Sequence, residues 1–144
     1  TENYRYAEEA YQKVLQLDTR NLTARENLAI LYRLTGRDSK ANELAKEVHQ
    51  LRVANPYYHL IRGDEAFEEG DFNLAHNYYR RAYRLDRTNH LILFALGKTA
   101  LATGETDDAQ AFLERAIKRA EIPADRQRYS AKLAIMSHDY EEQL

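Results

Sequence analysis

The chain has 144 residues, with 21 basic and 23 acidic side chains, a net charge of −2 and no cysteine. That near-balance argues against a nucleic-acid partner, which calls for a basic excess, and the lack of cysteine excludes disulfide staples and thiolate metal sites. No apolar run approaches membrane-spanning length and no signal peptide is visible, so the reading is a soluble chain without membrane insertion, with cytoplasm and periplasm both open.

The first predicted helix covers Tyr4 to Leu17, with Ala7, Tyr11, Val14 and Leu17 on one stripe. A second runs from Leu22 to Thr35 and carries Leu28, Ile30, Leu31, Tyr32 and Leu34, a spacing that suits a broad buried face. Gly36 ends it, because glycine takes the left-handed conformation after a helix at least cost. Asp38 is expected to cap the next helix, which bears Ala41, Leu44, Ala45, Val48 and Leu51. Pro56 opens a helix to about Glu69, since proline is tolerated in a first turn. Gly70 and Asp71 make a turn, and the partner helix carries Leu74, Ala75, Tyr78, Tyr79, Ala82 and Leu85. His90 begins a further pair that turns at Gly104 and continues through Ala109, Phe112, Leu113 and Ala116 to about Ala120. Pro123 and Asp125 start a last helix with Tyr129, Leu133, Met136 and Tyr140 on one stripe. Its remaining faces are polar, with Arg126, Arg128, Lys132, Asp139 and Glu141.

These elements recur with a period of 34 residues. Gly36, Gly70 and Gly104 share one column; Asn21, Asn55 and Asn89 share another. Ala7, Ala41, Ala75 and Ala109 form a third, and Ala29, Gly63, Gly97 and Ala131 a fourth. A fixed period of this size means stacked copies of one supersecondary unit. The columns resemble the tetratricopeptide repeat along essentially the whole chain. That family places small residues where the helices of a unit cross, as Ala29 with Ala41, Gly63 with Ala75 and Gly97 with Ala109 would here. The departures are Arg25 and His59 where a large residue is expected early in the first helix, Ala66 and Ala100 in place of the aromatic that Tyr32 supplies in the first block, and the absence of the usual unit-ending proline.

The resemblance implies an all-α fold, a right-handed superhelical solenoid of antiparallel helix pairs. It divides the single array into the second helix of a truncated repeat (1–21), repeats at 22–55, 56–89 and 90–123, and a capping helix at 124–144. Thr1 falls inside a unit, so the chain reads as a fragment of a larger protein. First helices would line a concave groove that binds a peptide or helix of a partner protein. Carried over position by position, the protein-binding groove is Ile30, Arg33, Tyr57, Leu60, Asp64, Phe67, Leu91, Phe94, Lys98 and Leu101. A subclass of the family grips the terminal carboxylate of heat-shock chaperones with Lys, Asn and Arg. The matching positions here are Glu26, Ile30, Ile61, Leu91 and Ala95, so that ligand is not expected.

No catalytic constellation is present. His49, His59, His76, His90 and His138 lack metal-ligand spacing. Ser39, Ser130 and Ser137 sit in no nucleophile elbow, and Gly36, Gly70 and Gly104 are spaced as turn punctuation. No catalytic residue, metal or cofactor is expected. Arg80, Arg81, Arg84 and Arg87 interleave with Tyr78, Tyr79 and Tyr83, but no column of base-reading residues accompanies them. The chain therefore reads as a non-enzymatic scaffold or adaptor whose protein partner is unknown. The alternative is a regulatory or substrate-presenting C-terminal appendage of a larger enzyme, such as a transglutaminase-like peptidase. A homodimer through the truncated N-terminal helix is a third expectation.

Overall fold

The computed structural model describes residues 1–142, with the side chains of Tyr140 and Glu141 outside the described set. Among the described residues there are eight helices and no strand: α1 Glu2–Leu17, α2 Leu22–Leu34, α3 Asp38–Val53, α4 Pro56–Glu68, α5 Phe72–Leu85, α6 His90–Ala102, α7 Thr106–Arg119 and α8 Pro123–Glu142. The fold is all-α, and three-residue turns fold α3 back on α2, α5 on α4 and α7 on α6.

Each of those turns is closed by the same chemistry. Gly36, Gly70 and Gly104 have φ of 73°, 81° and 80°, the left-handed region where a Cβ is costly. At the first turn the Gly36 N–H donates to the Arg33 carbonyl (3.1 Å) and the Arg37 N–H to the Tyr32 carbonyl (2.7 Å). The same pair recurs at Gly70 with Asp71 and at Gly104 with Glu105. These bonds absorb the orphan carbonyls of a helix end.

The asparagine column supplies the matching starts. The side chains of Asn21, Asn55 and Asn89 accept from the backbone N–H of Ala24 (2.9 Å), Tyr57 (3.0 Å) and Leu91 (3.0 Å), so each caps the first helix of a pair. Asp38 does not cap α3 as expected. It is the first residue of the helix, with Arg37 in the cap position and no side-chain cap bond. Its carboxylate instead lies in the first turn, where it complements the helix dipole. Asp71 does cap, accepting from the Leu74 N–H at 3.0 Å.

Two compact units, Thr1–Ala54 and Asn55–Leu144, make up the chain. In the first, Leu28, Leu31, Tyr32 and Ala41 form the core, and Ala7, Tyr11 and Leu15 of α1 pack against it. Arg37 anchors α1 by donating two bonds to the Glu8 carboxylate (3.0 and 2.8 Å), and its guanidinium lies 4.4 Å from the Tyr32 ring centre. No α1 residue is buried, and Leu17 is 91% exposed.

In the second unit α4 to α8 pack in succession. The small-residue column explains how closely. A Cβ on Gly63 would come within 2.4 Å of the Tyr79 ring, and one on Gly97 within 3.0 Å of Leu113. Tyr79, Leu113 and Tyr129 are wholly buried. On α8, Tyr129 and Met136 are buried and Leu133 is half-buried, as the stripe predicts; the Tyr140 side chain lies outside the described residues. The opposite side of α8 is less polar than expected, with Ile135 58% exposed.

Candidate functional site

Within Asn55–Leu144, α4 and α6 each present residues at three- and four-residue spacing to one side. Leu60 and Asp64 from α4, with Leu91, Phe94, Ala95 and Lys98 from α6 and Arg128 from α8, line a recess of about 250 Å³. Phe94 forms its aromatic wall. Its ring stacks on Tyr129 with centroids 4.5 Å apart and planes 22° from parallel, an arrangement that fixes both rings. The Tyr129 hydroxyl meets His90 Nδ1 at 2.8 Å, and burial pushes this phenol's pKa up.

The polar side of the recess is a short chain of bonds. Tyr79, buried between α4 and α5, donates its hydroxyl to Asp64 Oδ1 at 2.6 Å. Lys98 Nζ reaches the same oxygen at 3.3 Å and lies 4.5 Å from the Phe67 ring centre. Burial, then the Asp64 bond, pushes the Tyr79 phenol far above the ordinary tyrosine range. Asp64 and Lys98 thus neutralise each other, whereas the Arg128 guanidinium lies 5.2 Å from the Phe94 ring and is tied to Asp125 at 3.5 Å. The recess has a neutral floor, and the cation at its lip is already paired.

Of the ten residues carried over from the repeat pattern, Leu60, Asp64, Leu91, Phe94 and Lys98 line this recess. Leu60 is the most deeply set, at 8% exposed. Phe67 joins through Lys98 and packs on Phe72 with ring centroids 5.0 Å apart. Tyr57, half-exposed, accepts from Asn89 Nδ2 at 3.2 Å, which ties the starts of α4 and α6 together. Leu101 packs beside Ala100, Ala109 and Met136. Ile30 and Arg33 line a different recess, of about 380 Å³, between α2 and α3 of Thr1–Ala54. Glu26 and Arg52, which also line it, form an ion pair.

Sequence reasoning missed Arg128, assigned there to a polar outer face, and the Tyr129 ring beneath Phe94. The 34-residue period was the signal available, since it sets Arg128 in the column of Leu60 and Phe94. Two of the departures from the repeat pattern are also accommodated. His59 is buried with its ring edge-on to Tyr58, and Arg25 pairs with Glu47 at 3.0 Å.

Residues 66–136 match the tetratricopeptide repeat family. No curated protein matches the chain in sequence. Among solved structures, the type III secretion translocator chaperone SycD of Yersinia enterocolitica is similar with a TM-score of 0.60, at 21% identity over 83% of this chain and 86% of that one. The first repeat domain of Spaghetti (RPAP3), solved with the HSP90 peptide SRMEEVD, gives 0.59 at 16% identity, covering 86% and 96%. The repeat protein TTC0263 of Thermus thermophilus gives 0.54 at 22% identity, covering 88% and 71%. At these identities the likeness is one of fold alone. With its repeated small-residue crossings, glycine-closed turns and all-helical pairs, the segment 66–136 belongs to the tetratricopeptide repeat family, and the same turns and caps recur before it.

Proposed function

We propose that the chain is a non-catalytic adaptor that seats an amphipathic helix or extended apolar segment of a partner protein against the α4–α6 side of Asn55–Leu144. The observation that carries this reading is the recess walled by Phe94. Leu60 and Leu91 supply apolar floor, Asp64 is neutralised by Lys98, and Arg128 at the lip is paired with Asp125. An apolar side chain entering there displaces water from carbon surface at about 25 cal/mol per Å² and strands no buried charge. The terminal carboxylate of a chaperone is not the ligand this reading favours, because Ile61, Leu91 and Ala95, the matching clamp positions of this unit, include no Lys, Asn or Arg.

The test is a paired pull-down with the chain and its Phe94→Glu variant, read by mass spectrometry with circular dichroism on both baits. A protein retained by the unaltered chain and lost from an equally helical variant is the expected result. The same proteins on both baits would rule out this face as the working surface.

A further inference from the structure

A second recess, of about 410 Å³, opens between α5, the α5–α6 loop and α7. It shares no residue with the α4–α6 recess and differs from it in chemistry. Arg87, Arg115, Lys118 and Arg119 surround Tyr83 and Leu93, and no carboxylate is in the lining. Among the described residues none of the four cations is in an ion pair. Asp86, next to Arg87 in the loop, turns its carboxylate to the Thr88 N–H and hydroxyl, each at 3.3 Å.

Two of the cations are held in place. Arg115 Nη2 donates to the Tyr83 hydroxyl at 3.0 Å, and the guanidinium lies 5.5 Å from the Tyr83 ring centre and 5.9 Å from that of Phe112. Arg87 lies 5.7 Å from the same Tyr83 ring. Tyr83 is itself set edge-on against Phe112, with centroids 6.3 Å apart. The negative end of α7 accounts for Lys118 and Arg119 in its last turn. It does not account for Arg87, which is in a loop, or for Arg115, a turn earlier, or for their meeting on one ring.

Four like charges gathered without a counter-charge disfavour one another, and an anion placed among them offsets that cost. Fixed guanidiniums bind carboxylates through paired N–H donors with little ordering left to do. We propose that this recess binds an acidic peptide segment of a partner protein, with aspartate or glutamate carboxylates paired to Arg87, Arg115, Lys118 and Arg119. Single-stranded nucleic acid binds by stacking bases on open aromatic faces along a basic track. Here Tyr83 is half-buried under two guanidiniums, and the chain as a whole carries a net charge of −2.

The test is fluorescence anisotropy of a fluorescein-labelled hexaglutamate peptide titrated with the whole chain at low ionic strength, where exposed charges are least screened. A single-stranded oligonucleotide of equal charge runs as a parallel arm. The double variant Lys118→Glu with Arg119→Glu is compared with Arg80→Glu plus Arg81→Glu, which changes net charge equally but lies outside the lining. Arg87→Glu, in a loop, guards against fraying of α7. Saturable peptide binding is expected, weakened about tenfold or more by the recess variants and about twofold or less by the control pair. Equal losses in all variants would mean a diffuse field and overturn the site. Tighter binding of the oligonucleotide, or no saturation with the peptide, would overturn it as well.

Discussion

Two glycines of the same column are not equivalent. Gly63 faces the ring of Tyr79, which is fully buried and tethered through its hydroxyl to Asp64, so the ring has nowhere to go. Gly97 faces the Leu113 side chain at 3.0 Å, a tight contact that a small shift relieves. Replacing either by alanine gains about 1 kcal/mol of helix propensity, while overpacking a core costs about 1–3 kcal/mol or more. Gly63→Ala is therefore expected to lower stability clearly, and Gly97→Ala to leave it nearly unchanged. Urea denaturation of the two variants checks this; equal midpoints would show that the Tyr79 ring can move aside. The sequence revealed that both positions must be small, because the period aligns them. It did not reveal what each faces, since Tyr79 and Leu113 occupy one column and differ in whether they can yield. At the site, the 34-residue period sets Leu60, Phe94 and Arg128 in one column, but reading α8 only as a cap with polar outer faces hid that Arg128 lines the recess.

At the scale of elements, α1 is the least secured helix. It buries no residue, and its firmest polar anchor is the pair of bonds from Arg37 to Glu8. Those bonds hold the Glu8 carboxyl below the usual carboxylate range, against the opposing effect of burial. A folded value below the unfolded one gives stability that is present above the ordinary carboxylate pKa and is lost as pH falls through the lowered value. The docking of α1 is thus expected to weaken below about pH 4 while α6, with seven buried residues, stays protected. Hydrogen exchange of α1 amides, corrected for intrinsic rates, checks this at neutral and acidic pH. A Glu8→Gln variant should show weakened α1 protection already at neutral pH and little further change with acid. Unaltered protection of α1 in acid would mean that the apolar contacts of Ala7, Tyr11 and Leu15 suffice. Helix limits themselves were largely readable, because Gly36, Gly70 and Gly104 need a backbone that other residues resist. The start of α3 was misread because an aspartate serves a helix N-terminus equally well as a cap or from within the first turn.

For the whole molecule, burial is unevenly shared. Tyr79, Tyr129, Ile92, Leu93, Leu96 and Leu113, all nearly inaccessible, belong to Asn55–Leu144. Each contributes about 1.5–3 kcal/mol on burial before the opposing conformational entropy is subtracted. Thr1–Ala54 buries seven apolar residues, three of them alanines, a small core for a unit of that length to fold unaided. Residues 55–144 expressed alone are expected to remain helical and melt cooperatively, and residues 1–54 alone to show a broad, low-temperature transition. Thermal melts followed by circular dichroism check both. A sharp transition in the short piece would show that its modest core is enough.

The three turn glycines have a consequence for handedness. A built Cβ meets nothing within 4 Å at Gly36, Gly70 or Gly104, so crowding by neighbours is no reason for glycine there; the positive φ is. An L-residue is strained at that dihedral through its own chirality. A D-residue, whose preferences are the mirror image, would find it ordinary and would have fewer unfolded states to lose than glycine. At these three places, the chain's right-handed helices are joined by links whose natural stereochemistry is the opposite one, and glycine, being achiral, is how an L-chain supplies it.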